Sequence, residues 1–139
     1  VKGGAELAGD LLGFAGKTSK IGNSTLLGKN LEKANKPKPG PGYAAHHIVP
    51  GDDSRFPSAI KAREIYAKYV GLDKINDAEN GVWLPYKQGL GSGAYHPKIH
   101  TRVYYDELYD RLKWARSKQD VIDILDDIRK QLENNTFPY

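Results

Sequence analysis

Apolar residues recur at helical spacing in four stretches of this chain, and elsewhere they form only brief extended runs. Ser24 or Thr25 is placed to cap a first helix running to Ala34, with Leu26, Leu27 and Leu31 on one side. Ser58 to Val70 carries Ala62, Ile65, Tyr66 and Tyr69 at i, i+3, i+4, i+7, and Gly71 ends it. A third helix starts near Pro97, where a first turn tolerates proline, and runs to about Ala115. Its Tyr105, Leu108, Tyr109 and Leu112 form a stripe suited to packing on the last helix, while His96, His100 and Tyr104 project from the other side. Ile99 and Val103 sit beside the histidines, placed to pack on the preceding strands. Ser117 caps the last helix, which reaches about Leu132 with Val121, Ile124, Leu125, Ile128 and Leu132 on one face. The extended runs are Tyr43–Val49, closed by Pro50-Gly51, and Val82-Trp83-Leu84, stopped by Pro85. Asn76 to Gly81 is turn chemistry, and residues 86–95 form a Gly-rich loop. Lys36 to Gly42, with three prolines and two glycines, excludes helix and sheet and reads as an extended connector leading into the core.

Composition narrows the class. The chain has 139 residues, enough for one domain with or without a tail, and 39% hydrophobic content is ordinary for a packed core. It has no cysteine, which excludes disulfides and cysteine-based zinc sites. No apolar run is long enough to cross a bilayer, and the first residues lack the basic-then-apolar pattern of a signal peptide. The absence of methionine is read most simply as a piece of a longer parent, with residues 1–23 as the end of an upstream region. Net charge is +4 with a pI near 9.2, unevenly spread. Residues 1–70 hold eleven Lys/Arg against six Asp/Glu, and residues 71–139 hold ten against eleven. A polyanion is therefore drawn to the first half and repelled by the last helix, which carries Asp120, Asp123, Asp126, Asp127 and Glu133.

The histidines carry the chemistry. All four fall in one pattern, His46-His47 and then His96-x-x-x-His100. Histidine is the commonest metal ligand, and neighbours at i,i+4 on a helix lie one turn apart, within reach of one ion. His-x-x-x-His alone is often bland, and here Pro97, Lys98 and Ile99 lie between, with no glutamate to serve as the base of a zinc protease. On an extended strand His46 and His47 point to opposite faces, so they cannot readily share a role. One can join the ion while the other stands near it. The pattern as a whole reads as three ligands and a base, and points to metal-assisted phosphodiester cleavage.

Four segments resemble a known family: Ala45-His46-His47-Ile48-Val49-Pro50, Asn76-Asp77-Ala78-Glu79-Asn80-Gly81-Val82-Trp83-Leu84-Pro85, Tyr95-His96-Pro97-Lys98-Ile99-His100-Thr101, and Tyr104-Tyr105. In residue type, order and spacing they resemble the AHH branch of the HNH (His-Me finger, ββα-metal) nucleases. The resemblance implies an α+β fold with a ββα-metal core and flanking helices, a domain over 24–139 and a metal core at about 43–115. It implies His46, His96 and His100 as metal ligands, His47 as the general base that activates water, and Asn80 as the residue bracing the loop that carries the base. A backbone carbonyl on the other ring nitrogen of His47 would fix its tautomer. Many HNH enzymes have Asp where His46 stands and Asn at the last position; the all-histidine set resembles the nuclease domains of colicins and leaves the working metal open. Three imidazoles suit Zn, Ni, Co or Mn, and Mg works where substrate oxygens complete its shell.

The resemblance further implies a C-terminal toxin domain of a bacterial polymorphic toxin, secreted and delivered into the cytoplasm of a target cell. Its partners are then DNA, a parent delivery module and a cognate immunity protein, acidic because it competes with nucleic acid for a basic surface. No membrane insertion by this domain is expected. Arg55, Lys98, Arg102, Tyr104, Lys36 and Lys38 are candidate nucleic-acid contacts, each weighed against a solvated or packing role. Trp83 reads as core rather than as a base-stacking platform. The expected reaction is DNA cleavage with little sequence preference, leaving a 5′-phosphate. The alternatives are an RNase of the same fold and a non-catalytic basic nucleic-acid-binding module whose histidines hold a structural ion.

Overall fold

A computed structural model describes residues 21–139; the Gly-rich stretch before them lies outside the described residues. Among the described residues, four helices surround a two-stranded antiparallel sheet. Helix α1 (Ser24–Lys33) starts at Asn23, whose side chain accepts the Leu26 N–H. The cap is thus one residue earlier than Ser24, since asparagine caps as well as serine does. Leu27 and Leu31 are buried, but Leu26 is 42% exposed and does not share their face.

Strand β1 (Tyr43–His47) pairs with β2 (Gly81–Pro85), with His46 opposite Val82 and His47 opposite Gly81. Between the strands lie α2 (Pro57–Tyr69) and two 3₁₀ turns, Leu72–Lys74 and Ala78–Asn80. Helix α1 packs on the ribbon where Gly81 meets it. A Cβ at Gly81 would sit 2.7 Å from Leu27 Cδ1, so the close approach requires glycine there. Trp83 is half-buried over Gly28, with its indole N–H donating to the Lys36 carbonyl, which moors the proline connector.

The largest departure from the sequence expectation lies before the third helix. His96–Lys98 is a 3₁₀ turn, and α3 (Arg102–Leu112) begins only after Thr101. Thr101 is extended (φ −119°, ψ 164°), and its side chain accepts the Tyr104 N–H. A threonine able to cap its own downstream helix competes with continuing one helix through it. The intervening turn also buries Ile99 completely. Val103, expected against the strands, is 53% exposed. Tyr105, Leu108 and Leu112 are buried as a stripe, but α3 lies mainly against α2 rather than against the last helix.

Helix α4 (Lys118–Glu133) is capped by Ser117, which accepts the Asp120 N–H, and buries Val121, Leu125, Ile128 and Leu132. Ile48, Val49, Ala62, Tyr66, Leu84, Ile99, Tyr104 and Leu108 belong to the same core as that face. At roughly 25 cal/mol per Å² of apolar surface removed from water, such burial is the main force holding the helices to so small a sheet. No helix among the described residues is long and apolar enough to cross a membrane.

Candidate active site

Strand β1 and the turn before α3 bring three histidines together. The ring centroids of His46 and His96 are 5.2 Å apart, those of His46 and His100 5.4 Å, and those of His96 and His100 4.7 Å. One donor nitrogen from each lies within 4.8 Å of the other two, a spacing a single cation spans with small ring rotations. The convergence does not use a helical i,i+4 face. His96 sits at the start of the 3₁₀ turn and His100 just after it, and the buried Ile99 anchors the turn between them.

The electrostatics suit a cation. Burial first, and then the charge that His96 and His100 would add, hold His46 well below the ordinary imidazole pKa. Burial foremost, and then the charge that His100 and His47 would add, bring His96 to about 4. Burial also lowers His100, against the opposing pull of Asp53. Three neutral rings near pH 7 each offer a lone pair, which is the donor set a divalent transition metal takes.

Tyr104 decides which atom of His46 is free. Its hydroxyl donates to the Ile48 carbonyl at 2.8 Å and lies 2.8 Å from His46 Nε2. The hydroxyl has a single proton, so His46 Nε2 must be the donor and Nδ1 carries the lone pair available to an ion. Tyr104 is fully buried behind the cluster. It therefore cannot contact a phosphate, and that expectation is corrected: burial puts the ring in the core and its only polar atom is already engaged.

His47 is not part of this cluster; it is half-buried, with Nε2 2.7 Å from Asn76 Oδ1. The partner of the His47 ring is thus a side-chain amide and not the backbone carbonyl expected. Burial lowers the His47 pKa, with Asn76 and Asp52 opposing. Asn80 is fully buried: Nδ2 donates to the carbonyls of Val49 and Ile75, and Oδ1 accepts the Val49 N–H. Its backbone carbonyl accepts from Ile48 N–H, so the two residues after His47 are held at three points.

An open cleft of about 430 Å³ exposes the histidines; Asp52, Asp53, Arg55, Gly22 and Ser24 line it too. Arg55 makes paired hydrogen bonds to Asp53 and donates to the His100 carbonyl, and Tyr105 donates to Asp53. This clasp ties the loop after β1 to the turn carrying His100. Lys98 and Arg102 are exposed but do not line the cleft. Lys36 lines a different one, about 530 Å³, between the proline connector, β2 and α4, and Lys38 is exposed on that connector. That larger cleft contains no histidine. Asn76, Asp53 and Tyr105 are the site residues that sequence reasoning missed. Asn76 and Tyr105 fall inside the resembling segments, but Asn76 reads there as turn composition and Tyr105 as part of a core stripe, with no role in the site; no local signal links Asp53 to either.

A two-stranded ribbon, a turn and a helix converging on three imidazoles, with a fourth just outside, define a ββα-metal nuclease of α+β class. The chain matches AHH, a nuclease family of the HNH/ENDO VII superfamily with a conserved AHH, over residues 27–134, and it belongs to that family. It is therefore an HNH-type endonuclease whose substrate is nucleic acid, and such nucleases generally use a divalent metal. No curated protein and no solved structure matches the chain.

Proposed function

We propose that this domain is a DNA endonuclease of low sequence preference in which His47 is the general base and His46, His96 and His100 hold one divalent ion. The observation that carries the reading is the division of the four imidazoles: three neutral rings converge, and the fourth faces another partner. The ion, when bound, supplies positive charge to the phosphate and to the departing 3′ oxygen. His47 takes a proton from the attacking water at its free ring nitrogen; a neutral imidazole near operating pH suits that task. Asn80 holds the backbone just after His47, so the ring has a fixed origin. Arg55, at the rim, is the basic side chain of the cleft placed to meet a non-bridging phosphate oxygen. The products carry a 5′-phosphate. Duplex DNA is favoured over single-stranded RNA because, among the described residues, no exposed Phe, Tyr or Trp lines the cleft to stack a splayed base. Low preference follows from the same lining, which offers a phosphate contact and no array of base readers.

The biological reading is a toxin domain carried by a larger secreted effector, acting in the cytoplasm of a recipient bacterium and neutralised by an acidic immunity protein. Its support is the family and the basic balance of the first half of the chain. Zinc, nickel, cobalt or manganese fits the imidazole set better than magnesium.

The test is incubation of purified protein with plasmid and with total RNA, with each metal and with chelator. Metal-dependent nicking of plasmid is expected, and His47→Ala should lower the rate by about 10²–10⁴-fold while still binding metal. Degradation of RNA alone would replace the substrate, and a His47→Ala protein cutting at the normal rate would remove the base. Growth arrest on expression, relieved by the adjacent downstream gene product, tests the toxin reading.

A further inference from the structure

We infer that Asn76 is the positioning residue of the general base, and that the backbone of residues 21–23 in turn sets Asn76. The inference rests on the reading of His47 as base. The orientation of the Asn76 amide follows from partners whose own chemistry is unambiguous. Its Oδ1 faces the backbone N–H of Asn23 at 2.8 Å, and an amide N–H only donates. Its Nδ2 faces the Ile21 carbonyl at 3.1 Å, and a carbonyl only accepts. A flipped amide would lose both bonds, so the atom 2.7 Å from His47 Nε2 is oxygen. His47 Nε2 must then carry the proton, and Nδ1 is the atom left with a lone pair. The ring is held in one tautomer and one rotation, with its basic nitrogen assigned.

Asn76 is anchored from its main chain as well, since its carbonyl accepts from Asn30 Nδ2 at 2.9 Å. The segment that orients it is pressed against the base loop. A Cβ on Gly51 would lie 2.6 Å from the Gly22 nitrogen, and one on Gly22 would lie 3.6 Å from His47 Cε1. Gly51 thus allows the chain before α1 to lie against the base loop, which brings Gly22 within ordinary contact distance of the His47 ring. These contacts come from residues 21–23, upstream of the stretch that carries the family match. The device couples the entry of the chain into the domain to the alignment of its base.

The experiment compares wild type, Asn76→Ala and Asn76→Asp in the full chain. Two-bond ¹H–¹⁵N correlations of the imidazoles at pH 8 report the His47 tautomer, independently of any nuclease activity. Protonated Nε2 is expected in wild type and in Asn76→Asp, which keeps an acceptor, and mixed tautomers in Asn76→Ala. In plasmid cleavage kcat should fall about 10–100-fold in Asn76→Ala, with KM and metal affinity unchanged, and largely recover in Asn76→Asp. A wild-type His47 protonated at Nδ1, or an Asn76→Ala protein with wild-type kcat, overturns the inference. If His47→Ala cuts normally while the tautomer is as stated, the base assignment fails and the positioning contact stands. If Asn76→Ala does not fold, the wild-type tautomer and the kcat of Asn76→Asp decide.

Discussion

Individual atoms in this site are assigned by groups that can only donate or only accept. Tyr104 is the clearest, because its one proton goes to Ile48 and obliges His46 to present Nε2–H. Replacing it with phenylalanine leaves a buried imidazole N–H and a buried carbonyl without partners. Tyr104→Phe should therefore destabilise the fold by about 1–3 kcal/mol, measured by urea unfolding. It should also weaken metal binding about 10–100-fold in a titration, since the ring is no longer held in the ligating tautomer. Unchanged metal affinity would show that the hydroxyl serves packing alone.

Pieces of structure far apart in sequence are tied by side chains that reach for backbone carbonyls. Arg129 on α4 donates to the carbonyls of Gly81 and Glu79, on either side of Asn80, so the last helix supports the bracing turn. The Asp53–Arg55 clasp does the same for His100. Hydrogen bonds from Arg55, foremost, hold the Asp53 carboxyl well below the usual carboxylate range, with burial opposing. A lowered carboxylate contributes stability that is present above the unfolded value of about 3.9 and is lost as pH falls through the lower folded value. Asp53→Asn should cost up to about 1 kcal/mol at pH 7, because the Arg55 side chain is 59% exposed and solvent screens the pair. The gap from wild type should narrow progressively below about pH 4 in urea titrations at successive pH values. A constant gap down to pH 2 would mean that the Asp53 charge is not what holds the loop.

For the molecule as a whole, an ion taken up by the three clustered histidines would link β1 to the turn before α3, segments some fifty residues apart. A metal that binds only the folded chain should stabilise it by about 2.7 kcal/mol at a hundredfold excess over its Kd. Thermal unfolding with nickel, zinc or chelator measures this, and His100→Ala should abolish most of the shift. An equal shift in that variant would place the ion elsewhere. The charge asymmetry along the sequence softens once the chain is folded. Several acids of α4 lie beside basic side chains, Asp127 near Arg111, Asp126 with Arg129 and Lys130, and Asp120 near Arg116. The last helix thus repels a polyanion less than its composition alone implies.

Sequence alone determined the four helices and the two short strands, because periodicity and residue type are local properties, and it pointed to the histidines, three of which the fold brings together. It also marked Asn80 as a bracing residue, through the family resemblance rather than through any turn rule. The tertiary structure alone decided that His96 and His100 meet through a 3₁₀ turn rather than along a helix face. It alone joined Asn76 to His47, Tyr104 to His46 and Asp53 to Tyr105. Those pairings span 29, 58 and 52 residues, and each depends on which backbone groups the packed helices leave for a side chain to satisfy. Such contacts have no signature in the order of residues; they exist only once burial has removed water as the competing partner.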